Sequence, residues 1–286
     1  MLIIFGLLFL LGMVFGGYIL SGGTMHVILH ALPFEGMMVG GAAIGALVMA
    51  NSFPVVKGAI GAVVKAIKGP KWKPSDYTDL LRLLHELARL YALKGAQGIE
   101  RHIEEPDSSD IFQKYPKIIK DHEAKDLIVD SFRMVLMDFR DPYETEDTIN
   151  RKLEAHHEHV HKSIHALNNM GDGLPAIGIV AAVLGVVKTM ASVDKPPAIL
   201  GMMIGGALVG TFLGVFLAYC VVMPIAQRAA QVEEDDAAFG SVIRDVIVSI
   251  VKGHAAGVCV EVGRGNIPPA FRPTFESIEA QIKAPA

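Results

Sequence analysis

The stretch ILGMMIGGALVGTFLGVFLAYCVVMPI, residues Ile199–Ile225, runs for 27 residues without a charged side chain. At about 1.5 Å per helical residue, this length exceeds the ~30 Å hydrocarbon core of a bilayer. Three more stretches of the chain are apolar enough to cross a membrane: Leu2–Leu20, Gly36–Val56, and Gly173–Val187 with its flanks. The sequence therefore predicts four transmembrane helices.

The composition agrees with a membrane protein and narrows the function classes. Hydrophobic residues make up 51% of the 286 residues, and the mean hydropathy is +0.41. The formal net charge of -4 offers no polyanion-binding surface, so nucleic acid is not an expected partner. Cys220 and Cys259 cannot make a disulfide framework and lack the paired spacing of a zinc site. Packing must therefore hold the fold together.

The distribution of Lys and Arg predicts the orientation in the membrane. None lies in residues 1–56, which include the connection Ser21–Phe34. Five lysines follow the second span directly: Lys57, Lys65, Lys68, Lys71 and Lys73. By the positive-inside rule, both termini and the residues between spans two and three are cytoplasmic. The first span has no basic start and no clear cleavage site, so we expect it to stay attached rather than act as a signal peptide.

This topology predicts four segments. Residues 1–56 form a hairpin of transmembrane helices 1 and 2, and residues 57–170 form a cytoplasmic helical domain. Residues 171–226 hold transmembrane helices 3 and 4, and residues 227–286 form a cytoplasmic C-terminal helical segment. The domain opens with Val55–Lys73, where apolar and Lys positions alternate at helical spacing up to Trp72, as in an interfacial helix. An ordinary soluble helix is the alternative.

Three helical patterns fill the predicted cytoplasmic domain. The first begins at a cap on Ser75 or Asp76 and runs to the break at Pro106. The second covers Glu123–Phe139, and the third runs from Glu144 to Met170. No strand alternation of useful length appears, so the predicted fold class is an all-α polytopic membrane protein.

Glycines recur every four residues in the fourth span, at Gly206, Gly210 and Gly214. In lipid, such spacing lets helix backbones approach closely, because packing rather than hydrophobicity drives association there. Similar spacings occur in spans one and two, where contact within one bundle and contact between subunits both remain open. The pattern predicts that these helices pack against other helices.

Ionisable side chains are missing from the interior of the predicted spans. Glu35 and Asp194 fall at the edges, and Asp172 and Lys188 bracket the third span. Ion pumps and channels normally keep such a group at membrane depth, because a charge there is costly and is retained for function. If this protein moves protons or sodium, we expect the titrating carboxylate to belong to another chain.

Two prolines mark the inner ends of spans three and four. Pro175 and Pro224 each remove a backbone donor and so leave a free carbonyl or a kink. A first-turn helix proline without a function is the alternative for Pro175. Thr211 is the hydroxyl of the glycine-rich stretch, although it could simply bond to the carbonyl of Ala207.

Several stretches resemble the MotA family of flagellar motor stator proteins. The resemblance is carried by ALVGTFLGVF at Ala207–Phe216, which is followed by seven residues and then Pro224, and by LPAIGIVAAVLGVV at Leu174–Val187. It continues in MLIIFGLLFLLGMVFGGYILSGG at the start, IERHIEEP at Ile99–Pro106, IFQKYPKII at Ile111–Ile119, and VEVGRGNIPPAFRPTFESIE near the end. It extends from the first residue to about Lys283.

The resemblance implies a stator subunit that converts ion-motive force into torque. It implies a pentameric ring around a dimer of a MotB-like partner, in the bacterial inner membrane. The partner's membrane helix would supply the ion-binding aspartate. By position, Pro175 would lie beside that aspartate, Thr211 on the ion path, and Pro224 where protonation is coupled to movement.

Ala182 bears on the choice of ion. Sodium-driven relatives carry a threonine at the matching position, whose oxygen could replace part of a sodium ion's hydration shell. Alanine has no such oxygen, so the resemblance implies protons rather than sodium and no bound cofactor, although Thr211 keeps sodium open.

The resemblance also implies that charges on the loop helix drive the rotor protein FliG. Matching Asp79–Pro106 without gaps puts the family's acidic position on Glu100 and its usual basic position on Ala92. The chain departs from the pattern there, so Arg89, Glu100 and then Lys94 are the predicted rotor-facing charges. A solvated helix face is the alternative, because surface ion pairs contribute little.

The sequence also contains a histidine-rich tract and is compatible with other classes of membrane protein. His157, His161 and His165 of the tract His156–His165 share one helical stripe, but no Cys or clear third carboxylate completes a metal site. A merely solvated, His-rich helix is favoured, and a pH-responsive helix is the second alternative. No nucleophile elbow or phosphate loop indicates an enzyme. The rivals are an ExbB or TolQ-like energising proton-channel scaffold, against which the N-terminal hairpin argues, and a non-conducting membrane scaffold.

Overall fold

The computed structural model describes residues 2–137 and 141–283, and every regular element in those ranges is helical. The helices are α1 (Leu2–Leu20), α2 (Met25–Ala50), α3 (Phe53–Lys68), α4 (Pro74–Lys94), α5 (Ala96–Glu104), α6 (Pro116–Lys120), α7 (His122–Leu136), α8 (Pro142–Met190), α9 (Pro197–Phe216), α10 (Met223–Val251), α11 (Ala256–Gly265) and α12 (Phe275–Lys283). Short 3₁₀ turns cover Pro106–Ser108 and Phe112–Lys114, and a π-helical segment covers Leu217–Val222. The predicted all-α class is confirmed.

Contacts divide the chain into two compact units. Unit 1 comprises Met1–Gly69 and His159–Val232, and unit 2 comprises Pro70–Glu158 and Glu233–Ala286. Helices α8 and α10 contribute residues to both units. The four predicted segments, with boundaries after residues 56, 170 and 226, follow the expected membrane crossings and stay predictions.

Four helices in the described ranges are long and apolar enough to cross a membrane, as the sequence predicts. They are α1, α2, α8, and the continuous helix Pro197–Val251 that contains α9 and α10. The predicted start of the second span is wrong, because α2 begins at Met25 rather than at Gly36 and contains Pro33. The connection to α1 is correspondingly short, which puts Glu35 inside a helix instead of at its edge.

Helix α3 packs in unit 1 through a face of small residues. Ala59, Ala62 and Ala66 are buried against Ile164 and Leu167 of α8. The opposite face exposes large apolar side chains together with lysines: Phe53, Lys57, Ile60, Val64, Ile67 and Lys68. This helix is therefore amphipathic, as the spacing of its apolar and Lys positions predicts.

Trp72 is not part of that helix, so its predicted interfacial position is wrong. Helix α3 ends at Lys68, and Trp72 is only 4% exposed. Its ring stacks on Phe239 with 3.8 Å between ring centroids, in the core of unit 2. The indole is buried because aromatic stacking and apolar burial outweigh an interfacial location.

Unit 2 is built around the apolar face of α4. Leu80, Leu84 and Leu87 are fully buried, and α5, α7, α10 and α11 supply the surrounding core. The predicted cap on Ser75 or Asp76 is wrong, because α4 begins at Pro74 and Lys73 is the N-cap residue. Asp76 lies in the first turn and accepts a hydrogen bond from the Lys73 backbone N–H at 2.6 Å.

The first helical pattern of unit 2 is broken where the sequence predicts continuity. Gly95 has φ of 65° and ψ of -157°, and it separates α4 from α5. That backbone region is accessible essentially to glycine alone. Helix α7 ends at Leu136, and the predicted end at Phe139 lies outside the described residues.

For the acidic run Glu233–Asp236, the sequence predicts that it solvates or caps the start of the next helix, but the run lies inside α10. Asp236 Oδ1 accepts a hydrogen bond from the Lys71 backbone N–H at 2.8 Å, and the Asp235 carbonyl accepts one from the Tyr77 hydroxyl at 3.2 Å. Burial, followed by the neighbouring acidic groups, raises the pKa of Tyr77. The run therefore joins α10 to α4 within unit 2 instead of only solvating a surface.

Candidate functional site

Helices α8 and α9 cross at glycines that leave no room for a side chain. A Cβ on Gly178 would lie 2.8 Å from the Gly210 carbonyl oxygen and 3.0 Å from the Gly214 Cα. A Cβ on Gly214 would lie 2.6 Å from the Leu174 carbonyl oxygen. The backbones are thus in direct contact, so a displacement of α8 at this crossing must move α9.

The other predicted packing glycines of α9 face α2. Gly206 lies near Ala31, whose Cβ would be 3.8 Å from an added Cβ. Gly210 lies against the Glu35 carboxylate, with Oε2 at 2.5 Å from an added Cβ, and against Ala181 of α8 at 3.2 Å. All three glycines predicted from the spacing lie in close contacts within one chain.

Gly171, one helical turn before Pro175, contacts Met223, the residue before Pro224. Pro175 cannot donate to the Gly171 carbonyl, and an added Cβ on Gly171 would lie 2.9 Å from Met223 Cγ, next to Pro224. The π-helical segment Leu217–Val222 directly precedes Met223 and Pro224. A proline without its amide donor favours such an irregular turn, and π segments recur at functional sites.

Ala182 and Thr211 flank the contact between Ala181 and Gly210. Both are half-buried in unit 1, one on α8 and one on α9. Pro175 and Ala182 lie on α8, Thr211 lies on α9, and Pro224 lies at the start of α10, all within unit 1. Their individual roles stay predictions.

Glu35 is a residue whose position the sequence misses. It lies on α2 ten residues after Met25, is 6% exposed, and its Oε2 is buried without a hydrogen bond to any described residue. The uncharged stretch that follows Glu35 puts this residue at the edge of a span only if the helix also starts there. Helical spacing of apolar residues upstream, His26–Pro33, is the signal that could have extended α2.

The predicted rotor-facing charges lie on two helices of unit 2. Arg89 and Lys94 are exposed on α4, and Glu100 is exposed on α5, beyond the break at Gly95. Ala92, at the family's usual basic position, is exposed as well. None of the three charged side chains forms an ion pair within the ranges 2–137 and 141–283. They are therefore available at the surface of this unit.

Neighbouring charges of unit 2 are held in pairs instead. Arg133 donates to both carboxylate oxygens of Glu104, at 3.1 Å and 3.0 Å. This hydrogen bonding lowers the pKa of Glu104. Burial lowers the pKa of His85, and the positive charge of Arg89 lowers it further. His85 therefore favours its neutral form, so it adds no positive charge beside Arg89.

The histidine tract does not form a metal centre among the residues the structure describes. No three His, Cys, Asp or Glu side chains there are placed to share an ion. His156 pairs with Glu123 at 2.9 Å, and His165 contacts the Asn169 side chain at 3.0 Å. These partners engage two members of the tract in contacts along and between helices.

Comparison with family models and curated relatives covers most of the chain. Residues 4–95 match the Motility protein A N-terminal model, and residues 119–237 match the MotA/TolQ/ExbB proton channel family. Motility protein A of Salmonella typhimurium is 37% identical over 99% of this chain and 96% of its own length. Chemotaxis protein LafT of Vibrio parahaemolyticus is 34% identical over 96% of this chain and 95% of its own length.

Solved structures show the same fold. The structure of C. jejuni MotAB aligns with a TM-score of 0.75 at 19% identity, covering 96% of this chain and 98% of that one. The flagellar MotAB stator complex from Bacillus subtilis aligns with a TM-score of 0.68 at 18% identity, covering 97% and 98%. At these identities the likeness concerns the arrangement of helices.

Proposed function

Because the chain belongs to the motility protein A family, we propose how its membrane helices and its second unit convert an ion flow into rotation. The protein is a stator subunit of the bacterial flagellar motor within a proton channel family, and a multi-pass protein of the inner membrane. It assembles as an oligomer with a MotB partner. The proposal concerns the ion, the coupling residues, the stoichiometry and the rotor contact.

The observation that carries the proposal is the contact between the segments of the two prolines. Gly171, whose carbonyl loses its helical donor to Pro175, packs against Met223, the residue before Pro224. The crossing at Gly178 and Gly214 holds the same helices backbone to backbone. A shift near Pro175 is therefore transmitted to α9 and to the start of α10.

In the proposed cycle, an aspartate on the partner's membrane helix takes up a proton beside Pro175. Protonation removes a charge in a low-dielectric setting and changes its contact with α8. One proton falling through 100 mV supplies ~2.3 kcal/mol for the movement. Thr211 lines the ion path, and Ala182, which has no hydroxyl, favours protons over sodium.

The movement turns a ring of this chain around the partner, and unit 2 carries it to the rotor. Exposed Arg89, Lys94 and Glu100 are the proposed charges that meet a FliG-type rotor protein. Both termini are on the cytoplasmic side, and the exposed apolar and lysine face of α3 lies against lipid at that side. A pentamer is the proposed ring, in line with the family resemblance.

Proline substitutions test the coupling. We expect Pro175→Ala and Pro224→Ala to abolish torque in a strain lacking the wild-type chain, because each restores a backbone donor that the proline removes, and Pro224→Ala does so next to the π-helical segment Leu217–Val222. Swimming speed and recruitment of a fluorescent fusion to the motor are the two measurements. Pro197→Ala is the matched control, since Pro197 occupies the first turn of α9, where proline removes no helical bond.

Normal recruitment with lost rotation in the two variants supports the proposal, and normal swimming in both contradicts it. The same strains separate the rivals. An ExbB or TolQ-like energiser would leave swimming intact after deletion, and a non-conducting scaffold would show no proton flux when expressed with the partner.

A further inference from the structure

Glu35 occupies a place where a carboxylate is costly. It lies ten residues inside α2, about 15 Å from the first residue of the helix, in a segment apolar enough to cross a membrane. It is 6% exposed, and its Oε2 has no hydrogen-bond partner among the described residues, which is rare for a buried glutamate. A charge kept at such a depth is retained for function more often than for stability.

The carboxylate is aimed at the glycine stripe of α9. Its Oε2 is fully buried without a hydrogen bond to any described residue, and it lies against Gly210. Gly210 also contacts Ala181 and directly precedes Thr211 in the sequence. Any side chain at Gly210 would displace it. The missing side chain at Gly210 thus leaves room for the Glu35 carboxylate on the helix that carries Thr211 of the proposed ion path.

Glu35 also lines a cavity of about 590 Å³ between α2, α8 and α9. Lys188 of α8 and His26 and His30 of α2 are its other titratable groups, and the lining residues of α9 are uncharged. The cavity adjoins the first turns of α2 and α9, which the lysine distribution puts on the outer side. Water there can bring protons to Glu35.

We propose that Glu35 is a proton-binding site supplied by this chain, which takes up protons from the cavity and hands them on along α9 toward the partner's acid. In each transfer the carboxylate gains one proton from water and returns to the charged form when it releases it. The positive charge of Lys188, which also lines the cavity, repels metal cations from it. The inference rests on the proposed function, because it assumes that protons are the transported ion.

The first test is proton flux through the assembled complex in vesicles. We expect Glu35→Gln to lower the flux by about 100-fold, the low end for a positioned proton-transfer group. Glu35→Asp should keep part of the flux and shift its pH profile, because a shorter acid still titrates. Asp194→Asn is the control, since Asp194 carries the same charge but is exposed in the connection before α9.

The second test reads protonation itself. The infrared spectrum of the purified complex should contain a carboxylic acid C=O band that titrates with pH, moves in Glu35→Asp and is absent in Glu35→Gln. This measurement holds even if the glutamine variant assembles poorly, because the aspartate variant retains an acid. Wild-type flux and pH profile in Glu35→Gln, or no titrating band assigned to Glu35, would overturn the inference. A wild-type complex that conducts no protons would instead overturn the proposed function.

Discussion

Gly178 and Gly214 are the residues at which a single methyl group decides whether α8 and α9 can cross. Glycine elsewhere in these helices is tolerated at a cost in conformational entropy, but at this crossing the backbones themselves are the contact surfaces. The Leu174 carbonyl, next to Pro175, is part of the same contact. The packing of α8 on α9 and the proposed coupling therefore depend on the same few atoms.

Gly178→Ala should destabilise the protein by about 1–3 kcal/mol, the usual effect of overpacking a close contact. The methyl group would meet backbone atoms at 2.8 Å and 3.0 Å, which cannot rotate away. The midpoint of thermal unfolding of the purified complex measures the effect. Gly201→Ala on α9 is the control, because an added Cβ there meets nothing within 4 Å. Equal midpoints for both variants would contradict the close crossing.

Among the elements, the break between α4 and α5 has the clearest consequence for the charges that are proposed to face the rotor. An uninterrupted helix would continue the direction of α4 through Glu100, whereas Gly95 starts a new helix at Ala96. Arg89 and Glu100 therefore belong to two elements. The distance in space between Arg89 and Glu100 therefore depends on the backbone at Gly95, which has a positive φ. It cannot be calculated from their eleven-residue separation as if both were on one helix.

Gly95→Ala should cost about 1–3 kcal/mol in stability, because its backbone region is nearly closed to other residues. An added Cβ there meets nothing within 4 Å, so the effect isolates backbone strain from packing. We expect slower swimming as well, since relief of the strain would reorient Glu100. Gly257→Ala is the matched control within helix α11, at ordinary φ and without neighbours. An unchanged unfolding midpoint in Gly95→Ala would rule out the strained break.

At the scale of the whole molecule, one chain leaves much of its apolar surface uncovered. No residue of α1 is buried, and added Cβ atoms at Gly12, Gly16, Gly40, Gly41 and Gly45 would meet nothing within 4 Å. The glycine spacings of spans one and two are thus not used inside the chain, in contrast to those of α9. This is expected of a subunit that completes its packing with lipid, further copies and a partner.

Motility should follow the proton-motive force and not the sodium gradient. Ala182 has no oxygen that could replace a hydration water of sodium, and the carboxylate that the structure adds, Glu35, suits protons. Swimming speed in sodium-free medium, with and without a protonophore, is the measurement. Loss of swimming on sodium removal alone, with pH unchanged, would contradict the prediction.

Much of the fold could be predicted from the sequence because hydropathy acts locally. The uncharged run Ile199–Ile225 requires a span wherever it lies, and the resemblance supplies the family without any coordinates. Trp72 and Gly95 could not be predicted in this way. Whether an indole stacks on Phe239 or meets a membrane, and whether a glycine bends or continues a helix, depends on contacts distant in sequence.

The amino-acid sequence alone was enough to predict the all-α class and four candidate membrane spans. That α2 begins at Met25 and that Glu35 is buried against Gly210 could be seen only in the three-dimensional structure. The physical reason is that solvation of an acid is set by what surrounds it in space. In the sequence, Glu35 beside an apolar run indicates the end of a span. In the folded chain, Gly210 on another helix leaves space in which its carboxylate is buried.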